Sequence, residues 1–196
     1  MDQDFINKIK KLREETGAPI GKCKEALEKE KGDLEKAKIY LRKIGESLLK
    51  EKSSKISKNG IVEGYIHFNG RVGALVEILA ETDFVSQNPE FKKLAHEIAM
   101  QVAFMKPIYV SSDDISEQDL KAKKDEFLSE IKDKPDKIKE QVVQGKLDKW
   151  FEEVCLIDQT YFKDENLKVK DLINEYANKF GEKIEISRFV RLARDE

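Results

Sequence analysis

Apolar side chains recur every three or four residues along the first 44 positions, which is the spacing of one face of an α-helix. These positions are Phe5, Ile6, Ile9 and Leu12, then Ile20, Cys23, Ala26 and Leu27, then Leu34, Ala37, Ile39, Tyr40, Leu41 and Ile44. Gly17 separates the first two runs, and Pro19 fits a helix's first turn, where its missing N–H would be unpaired in any case. Gly32 suits a left-handed helix end, and Asp33 suits the N-cap of the next helix. We therefore predict an N-terminal bundle of three short helices over residues 1–45.

Beyond residue 60 the pattern shifts toward the two-residue period of β-strands. Residues 61–68 and 71–80 are two such runs, and the Asn69-Gly70 pair between them fits a type I′ turn, whose twist matches paired strands. A last alternating run covers residues 183–192. These runs predict antiparallel strands in a small sheet.

Helical spacing returns between the second of these strands and the last. Asn88-Pro89-Glu90 supplies an N-cap, a first-turn proline and an early acid, and the apolar face that follows continues to Lys106-Pro107. Further helices are predicted at residues 116–131, at 135–156 with a break near Gly145, and at 167–179, where Gly181 ends the helix. A small antiparallel sheet with helices packed on one side makes the predicted fold class α+β.

The composition changes between the bundle and the first strand. Residues 46–59 are rich in lysine and serine, which favours a linker, although Leu48-Leu49 could extend a helix into it. The predicted organisation is therefore a three-helix bundle at 1–45, a linker at 46–59 and a core domain at 60–196.

Charge and hydropathy exclude several classes of protein. Charged residues make up 39% of the chain but the net charge is only -2, whereas a binder of nucleic-acid phosphates needs a basic excess to displace counterions. No apolar run approaches the roughly 18 residues of a membrane span, and the N-terminus lacks the apolar segment of an export signal. Cys23 and Cys155 are far apart in the sequence and form no Cys-x-x-Cys pair, so we expect both to be reduced thiols. We expect a cytoplasmic protein that binds neither membrane nor nucleic acid.

The motifs of the common enzyme classes are missing from the sequence. His96-Glu97 begins a zinc-hydrolase pattern, but Met100 stands where the second histidine should be, one helical turn on. His67 is the other histidine, which leaves open a site of two histidines and a carboxylate as the less economical interpretation. There is no glycine-rich phosphate-binding loop and no nucleophile elbow. We predict no enzyme, no cofactor and no metal site.

Thr82-Asp83-Phe84-Val85 lies where the predicted hairpin gives way to a helix. The acidic Asp83 and the aromatic Phe84 are adjacent at this turn, an arrangement suited to insertion into another molecule. The alternative interpretation is that Phe84 is a core residue and Asp83 an ordinary turn residue.

The segments around this turn resemble the bacterial elongation factor Ts family. The core-domain match covers Tyr-Ile-His-Phe-Asn-Gly-Arg-Val-Gly at residues 65–73, Leu-Val-Glu at 75–77 and Glu-Thr-Asp-Phe-Val-Ser at 81–86. The N-terminal match covers residues 12–18, 23–27, 32–33 and 35–37, and the bundle resembles that family's ubiquitin-associated-like module. Residues 98–100, 106–107, 150–156 and 188–191 match in the same order.

The resemblance implies a guanine nucleotide exchange factor for elongation factor Tu, the GTPase that delivers aminoacyl-tRNA. In that family the Asp-Phe turn inserts beside the partner's nucleotide and disturbs the residues that hold Mg²⁺, so GDP leaves and GTP can rebind. Carried onto this chain, Asp83 and Phe84 would act on the Mg²⁺ site, with Thr82 and Val85 shaping the turn. The factor would bind both the GDP-bound and the nucleotide-free partner without a cofactor.

The resemblance also implies further contacts with the partner. Ile20, Lys24 and Lys52 match positions that the family uses in its N-terminal contact, and His67 matches a contact of the core domain. Residues 19–22 read Pro-Ile-Gly-Lys where many members have Gly-Met-Met-Asp, and Gln101 stands at a histidine position of the family. These departures put the N-terminal contact and the role of that histidine in question.

The chain is shorter than relatives that carry a duplicated core. A single core with half-covered strands has reason to pair, because exposed sheet edges and faces are liabilities. We therefore expect a homodimer. The alternative function is a ubiquitin-associated-like adaptor or chaperone that binds polypeptides without exchange activity.

Overall fold

The computed structural model describes residues 3–51, 59–131 and 136–194. The helices are α1 (Gln3–Thr16), α2 (Ile20–Lys29), α3 (Leu34–Glu51), α4 (Asp83–Ser86), α5 (Pro89–Met105), α6 (Glu117–Glu130), α7 (Asp136–Val154) and α8 (Val169–Phe180). The strands are β1 (Asn59–Ile66), β2 (Val72–Ala80), β3 (Thr160–Tyr161), β4 (Asp164–Lys168) and β5 (Ile184–Ala193). Short 3₁₀ turns lie at Ser112–Asp114 and Leu156–Asp158. The α+β class predicted from the sequence is confirmed.

Helices α1, α2 and α3 pack around a small apolar core, as the spacing predicts. Its fully buried members are Leu12, Cys23, Ala26, Leu27 and Ala37. Gly17 and Gly32 take left-handed conformations, with φ of 68° and 81°, at the two connections. Asp33 accepts a hydrogen bond from the Lys36 N–H at 3.1 Å, which is the predicted cap.

Two apolar positions of the bundle differ from the prediction. Ile20 is 54% exposed and Ile39 is 52% exposed, although both fall in the periodic runs. Ile20 is the first residue of α2, and Pro19 precedes the helix as its N-cap residue rather than lying inside the first turn. The three-helix core is thus closed without either isoleucine.

The central sheet is antiparallel, in the order β1-β2-β5. Val76 lies between Glu63 of β1 and Phe189 of β5, and a bulge at Ser187 shifts the β2–β5 register. Helix α5 covers one face, where its fully buried Phe91, Leu94, Ile98 and Val102 join Val76 and Ile78 of the sheet in one cluster. This apolar layer is the main core of the molecule.

The opposite face of the sheet carries exposed apolar side chains, and we call it the open sheet face. Its members are Val62 and Ile66 of β1, Leu75 of β2, and Val190 and Leu192 of β5, which are 54–77% exposed. The register places Leu75 directly between Gly64 and Val190, so these side chains share one surface.

The turn between β1 and β2 is not the predicted type I′ turn. A type I′ turn needs two central residues with positive φ, but only Gly70 has one here, at 68°, and Asn69 does not. His67 N–H donates to Val72 O at 2.8 Å and Gly70 N–H donates to His67 O at 2.7 Å. The hairpin is therefore closed by His67 and Val72, so the loop is longer than the predicted two-residue turn. This longer loop contains only one left-handed residue, Gly70.

The other elements follow the prediction with two differences. Asn88 accepts from the Glu90 N–H at 2.9 Å at the start of α5, and Gly181 ends α8 with φ of 71°, as expected. Helix α7 runs through Gly145 without the predicted break. The β3–β4 hairpin was not predicted.

Helix α3 continues to Glu51, into the segment predicted as a linker, while residues 52–58 lie outside the described residues. This helix also contacts the core through α8. Arg42 Nη2 lies 3.4 Å from Glu175 Oε1, and Asn178 Nδ2 donates to Leu41 O at 3.2 Å. Burial beneath this contact raises the pKa of Glu175, against the opposing effect of the Arg42 charge. The division into bundle, linker and core stays a prediction.

Candidate functional site

The four residues 82–85 form the start of a one-turn helix at the end of β2. Thr82 has extended backbone angles, and its hydroxyl accepts from the Val85 N–H at 3.4 Å as the N-cap of α4. Ser86 closes the turn by donating its hydroxyl to Asp83 O at 3.0 Å. Local capping chemistry therefore determines where this helix begins.

The two apolar side chains of this turn point in opposite directions. Val85 is 2% exposed and joins the main core, whereas Phe84 is 79% exposed and Asp83 is also exposed. The alternative interpretation of Phe84 as a core residue is therefore wrong. Val85 fills that role instead, so the turn is held in the core by one side chain and offers an acid and an aromatic to solvent.

The end of β2 is also tied to the segment that follows α8. The carboxylate of Glu182 accepts from both the N–H and the hydroxyl of Thr82, at 3.0 and 2.7 Å. Lys183 N–H donates to Glu81 Oε1 at 2.8 Å, and Asn59 Nδ2 donates to Glu81 O at 2.8 Å. No local feature of the sequence indicates the role of Glu182, because its partner Thr82 lies one hundred positions away.

His67 lies in a group of aromatic rings at the tip of the β1–β2 hairpin and the end of α5, which we call the aromatic patch. Its members are Tyr65, His67, Phe68, Phe104 and Phe162. Tyr65 Oη and His67 Nδ1 are 2.8 Å apart, and the His67 and Phe104 rings meet edge to face at 5.4 Å. Phe68 is 92% exposed. The patch is thus a partly exposed apolar surface with a polar pair inside it.

The predicted N-terminal contacts are on α2, apart from one. Ile20 is exposed at the start of the helix, and Lys24 Nζ lies 3.6 Å from Glu28 Oε1, one helical turn on. Lys52 lies outside the described residues. In the segment that departs from the family pattern, Lys22 pairs with Glu25 at 3.3 Å.

Gln101, the other departure from the family pattern, is fully buried in a network of amide groups. Its Nε2 donates to Gln159 Oε1 at 3.1 Å and to Thr160 O at 3.0 Å, while its Oε1 accepts from the Phe162 N–H at 2.9 Å. A buried amide with these partners is satisfied, as burial of polar groups requires. Gln101 therefore connects α5 to the β3–β4 hairpin and is not available to a partner.

The cysteines do not form a nucleophilic site. Both are buried, and burial raises the pKa of Cys155 to about 11 and also raises the pKa of Cys23. A thiol becomes reactive as its thiolate, which these environments disfavour. Within the described ranges, no three His, Cys, Asp or Glu side chains gather as metal ligands would, and no helix is long and apolar enough to cross a membrane.

Comparison with known proteins gives the family. The family model described as "Elongation factor TS" matches residues 1–196. The chain is 52% identical to the elongation factor Ts of Thermotoga petrophila over 93% of this chain and 92% of the relative. It is 45% identical to that of Pseudothermotoga lettingae, over 94% of each chain, and 43% identical to that of Moorella thermoacetica, over 93% and 91%.

The chain belongs to the elongation factor Ts family. The resemblance predicted from the sequence is thereby confirmed, and the chain is a translation elongation factor of the Ts type. Within this Ts-family fold, the one-turn helix α4 brings together Thr82, Asp83, Phe84 and Val85. Of the remaining candidates, Ile20 and Lys24 lie on α2 and His67 lies in the aromatic patch, while Lys52 is outside the described residues.

The opposite exposures of Phe84 and Val85 predict effects of very different size on stability. Val85→Ala removes buried methyl groups from the main core, so we expect it to lower the free energy of unfolding by about 2 kcal/mol. Phe84→Ala, its matched control one residue away, should change that free energy by less than about 0.5 kcal/mol. Chemical denaturation of both variants measures the difference. Equal losses of stability would contradict the orientation described for α4.

Proposed function

We propose that this chain is the guanine nucleotide exchange factor of elongation factor Tu. It binds the GDP-bound partner, promotes release of GDP, and holds the nucleotide-free partner until GTP binds. The observation that carries the proposal is the exposed Phe84 beside Asp83 on α4, in a chain of the elongation factor Ts family.

Phe84 supplies the apolar side chain that inserts into the partner. It is 79% exposed in the free factor, and burying a phenylalanine side chain contributes roughly 1.5–3 kcal/mol. That free energy is enough to stabilise a displaced helix in the partner's nucleotide-binding domain. The buried Val85 and the capping Thr82 hold α4 in place during this insertion.

Asp83 acts on the magnesium site of the partner. Mg²⁺ links phosphate oxygens to protein ligands and offsets their charge, so its loss weakens the retention of GDP. The exposed carboxylate of Asp83 competes for hydrogen-bond donors at that site or perturbs water bound to the metal. The factor itself needs no cofactor, forms no covalent bond and acts only by binding.

The coupling between the factor and the nucleotide is reciprocal. By whatever ratio the factor lowers the affinity of its partner for GDP, GDP lowers the affinity of the partner for the factor by the same ratio. GTP in excess then fills the emptied site and releases the factor. A small amount of factor can therefore serve many partner molecules.

Further contacts come from the bundle and the aromatic patch. The exposed Ile20 and the half-exposed Lys24 on α2 are proposed to contact the partner's nucleotide-binding domain, together with Lys52. His67 is proposed to contact the partner from the aromatic patch, where the exposed Phe68 and half-exposed Phe104 offer the kind of side chain enriched in interfaces.

A homodimer is the proposed assembly. The open sheet face has a depression of about 650 Å³, lined by β1, β2 and β5 and including Leu75, Val190 and Leu192. Large exposed apolar patches mark interaction sites, and two copies of one sheet can pack face to face about 10 Å apart. A two-fold dimer covers this surface on both copies at once. We propose that the factor acts in the cytoplasm, with its net charge of -2 giving no basis for direct nucleic-acid binding.

The exchange activity is tested by following release of fluorescent GDP from elongation factor Tu. Catalytic amounts of the factor should accelerate release, and Phe84→Ala should lower that effect roughly thirtyfold, the equivalent of about 2 kcal/mol at an interface centre. Leu128→Ala, which truncates an exposed apolar residue on α6, is the control and should behave as wild type. Unchanged release with saturating wild-type factor would refute the proposal, and binding of polypeptides without exchange would favour the adaptor alternative.

The role of Asp83 is tested by varying Mg²⁺. Asp83→Ala should slow exchange in the presence of Mg²⁺ and show a smaller defect once EDTA has removed the ion, because its contribution is to weaken retention of the metal. Asp125→Ala, an exposed aspartate on α6, controls for the lost charge. A defect of equal size with and without Mg²⁺ would contradict an action on the metal site.

The dimer is tested by placing a charge on the open sheet face. Leu75→Glu should convert the factor from an assembly of twice 22.6 kDa to a single chain, since an unpaired carboxylate in an apolar interface is costly to desolvate. Ile39→Glu, at an exposed isoleucine on α3, should stay dimeric. Sedimentation equilibrium measures both masses, and a wild-type monomer at every concentration would exclude the proposed assembly.

A further inference from the structure

The carboxylate of Glu182, which lies outside the turn, accepts two hydrogen bonds from Thr82. Its two carboxylate oxygens accept hydrogen bonds from the backbone N–H and the hydroxyl of Thr82, at 3.0 and 2.7 Å. Hydrogen bonds to an ionised acceptor are roughly twice as strong as those between neutral groups. The residue that caps α4 is thus held from a segment distant in sequence.

The hydroxyl of Thr82 links Glu182 to the helix. A hydroxyl has one hydrogen to donate and two lone pairs that accept. Because its hydrogen is directed to Glu182 Oε1, its lone pairs are left for the Val85 N–H, which lies 3.4 Å away. Glu182 therefore orients the hydroxyl of Thr82, the residue that caps α4.

Glu182 is itself in a well-defined position. Gly181 before it is in the left-handed conformation, with φ of 71°, and its N–H donates to Ala177 O at 2.8 Å. Ile184, two residues after Glu182, is 1% exposed and begins β5. The neighbouring Lys183 N–H donates to Glu81 Oε1, which adds a third hydrogen bond between the same two segments.

We infer that Glu182 is a positioning residue for the Asp83-Phe84 turn. Its carboxylate holds Thr82 so that α4 presents both side chains in one orientation before the partner arrives. This inference rests on the proposed exchange function, which it deepens. A preformed turn loses less conformational entropy on binding, and that difference appears in the efficiency of exchange.

Substitution of Glu182 tests the inference in the GDP-release assay with the factor of residues 1–196. Glu182→Ala should lower the efficiency of exchange about tenfold, the effect of losing hydrogen bonds to a charged acceptor. Glu182→Gln should fall between this variant and wild type, because its amide retains one acceptor oxygen. Glu165→Ala, an exposed glutamate on β4, is the control for lost charge and should match wild type.

A double-mutant cycle separates positioning from a general structural role. If Glu182 acts through the turn, Glu182→Ala should cost less than tenfold in the Phe84→Ala background, because one of the two side chains that it positions is gone. The same fold-loss in both backgrounds would overturn the inference. So would an unchanged efficiency of exchange for Glu182→Ala alone.

A measurement without the partner keeps this inference separable from the proposed function. Amide hydrogen exchange at residues 82–87 should become roughly tenfold faster in Glu182→Ala, since local opening of α4 becomes easier, while α5 stays as protected as in wild type. Unchanged protection at residues 82–87 would overturn the inference whatever the release assay shows. If the wild-type factor fails to accelerate GDP release, the exchange proposal falls, and hydrogen exchange still decides whether Glu182 holds the turn.

Discussion

The packing of α5 against one face of the central sheet is the interaction on which the rest of the molecule depends. Phe91 and Ile98 of the helix and Ile78 of β2 are completely removed from solvent in this layer. Each such side chain contributes roughly 1.5–3 kcal/mol by burial. This layer fixes the direction of β2, and Val85 joins it, so the same core that stabilises the fold also holds the turn that follows the strand.

The layer also explains why the molecule offers so much apolar surface elsewhere. Helix α5 covers a single face of the sheet, and the alternation of side chains along β2 sends Leu75 to the other face. A sheet covered on one side can fold with a single apolar core, but the apolar side chains of its other face stay exposed to solvent. The proposed homodimer follows from this imbalance.

Elements with strong local signals could be predicted from the sequence, and those decided by distant contacts could not. The cap at Asn88 and the left-handed Gly181 depend on chemistry within a few residues. Gly145 was expected to break α7, but one glycine costs a helix only about 1 kcal/mol, and the buried Val143 and Leu147 on either side outweigh it. The β3–β4 hairpin escaped prediction because the buried amide of Gln101 holds it from α5.

The candidate site shows the same division. The sequence pattern identifies residues 82–85, but it leaves open whether Phe84 enters the core. In the structure Phe84 is exposed and Val85 is buried instead. Glu182 gave no local signal at all, because its partner Thr82 lies one hundred positions earlier.

Helix α8 sets the distance and the angle between the N-terminal bundle and the turn at residues 82–85, which the proposed function uses together. Glu175 and Asn178 on this helix contact α3 of the bundle, and Glu182, just past its end, contacts Thr82. A single residue inserted between these points would advance one contact by about 1.5 Å and rotate it by about 100° relative to the other. The number of residues between these contacts therefore sets the position of the bundle relative to the turn, the two parts proposed to contact the partner.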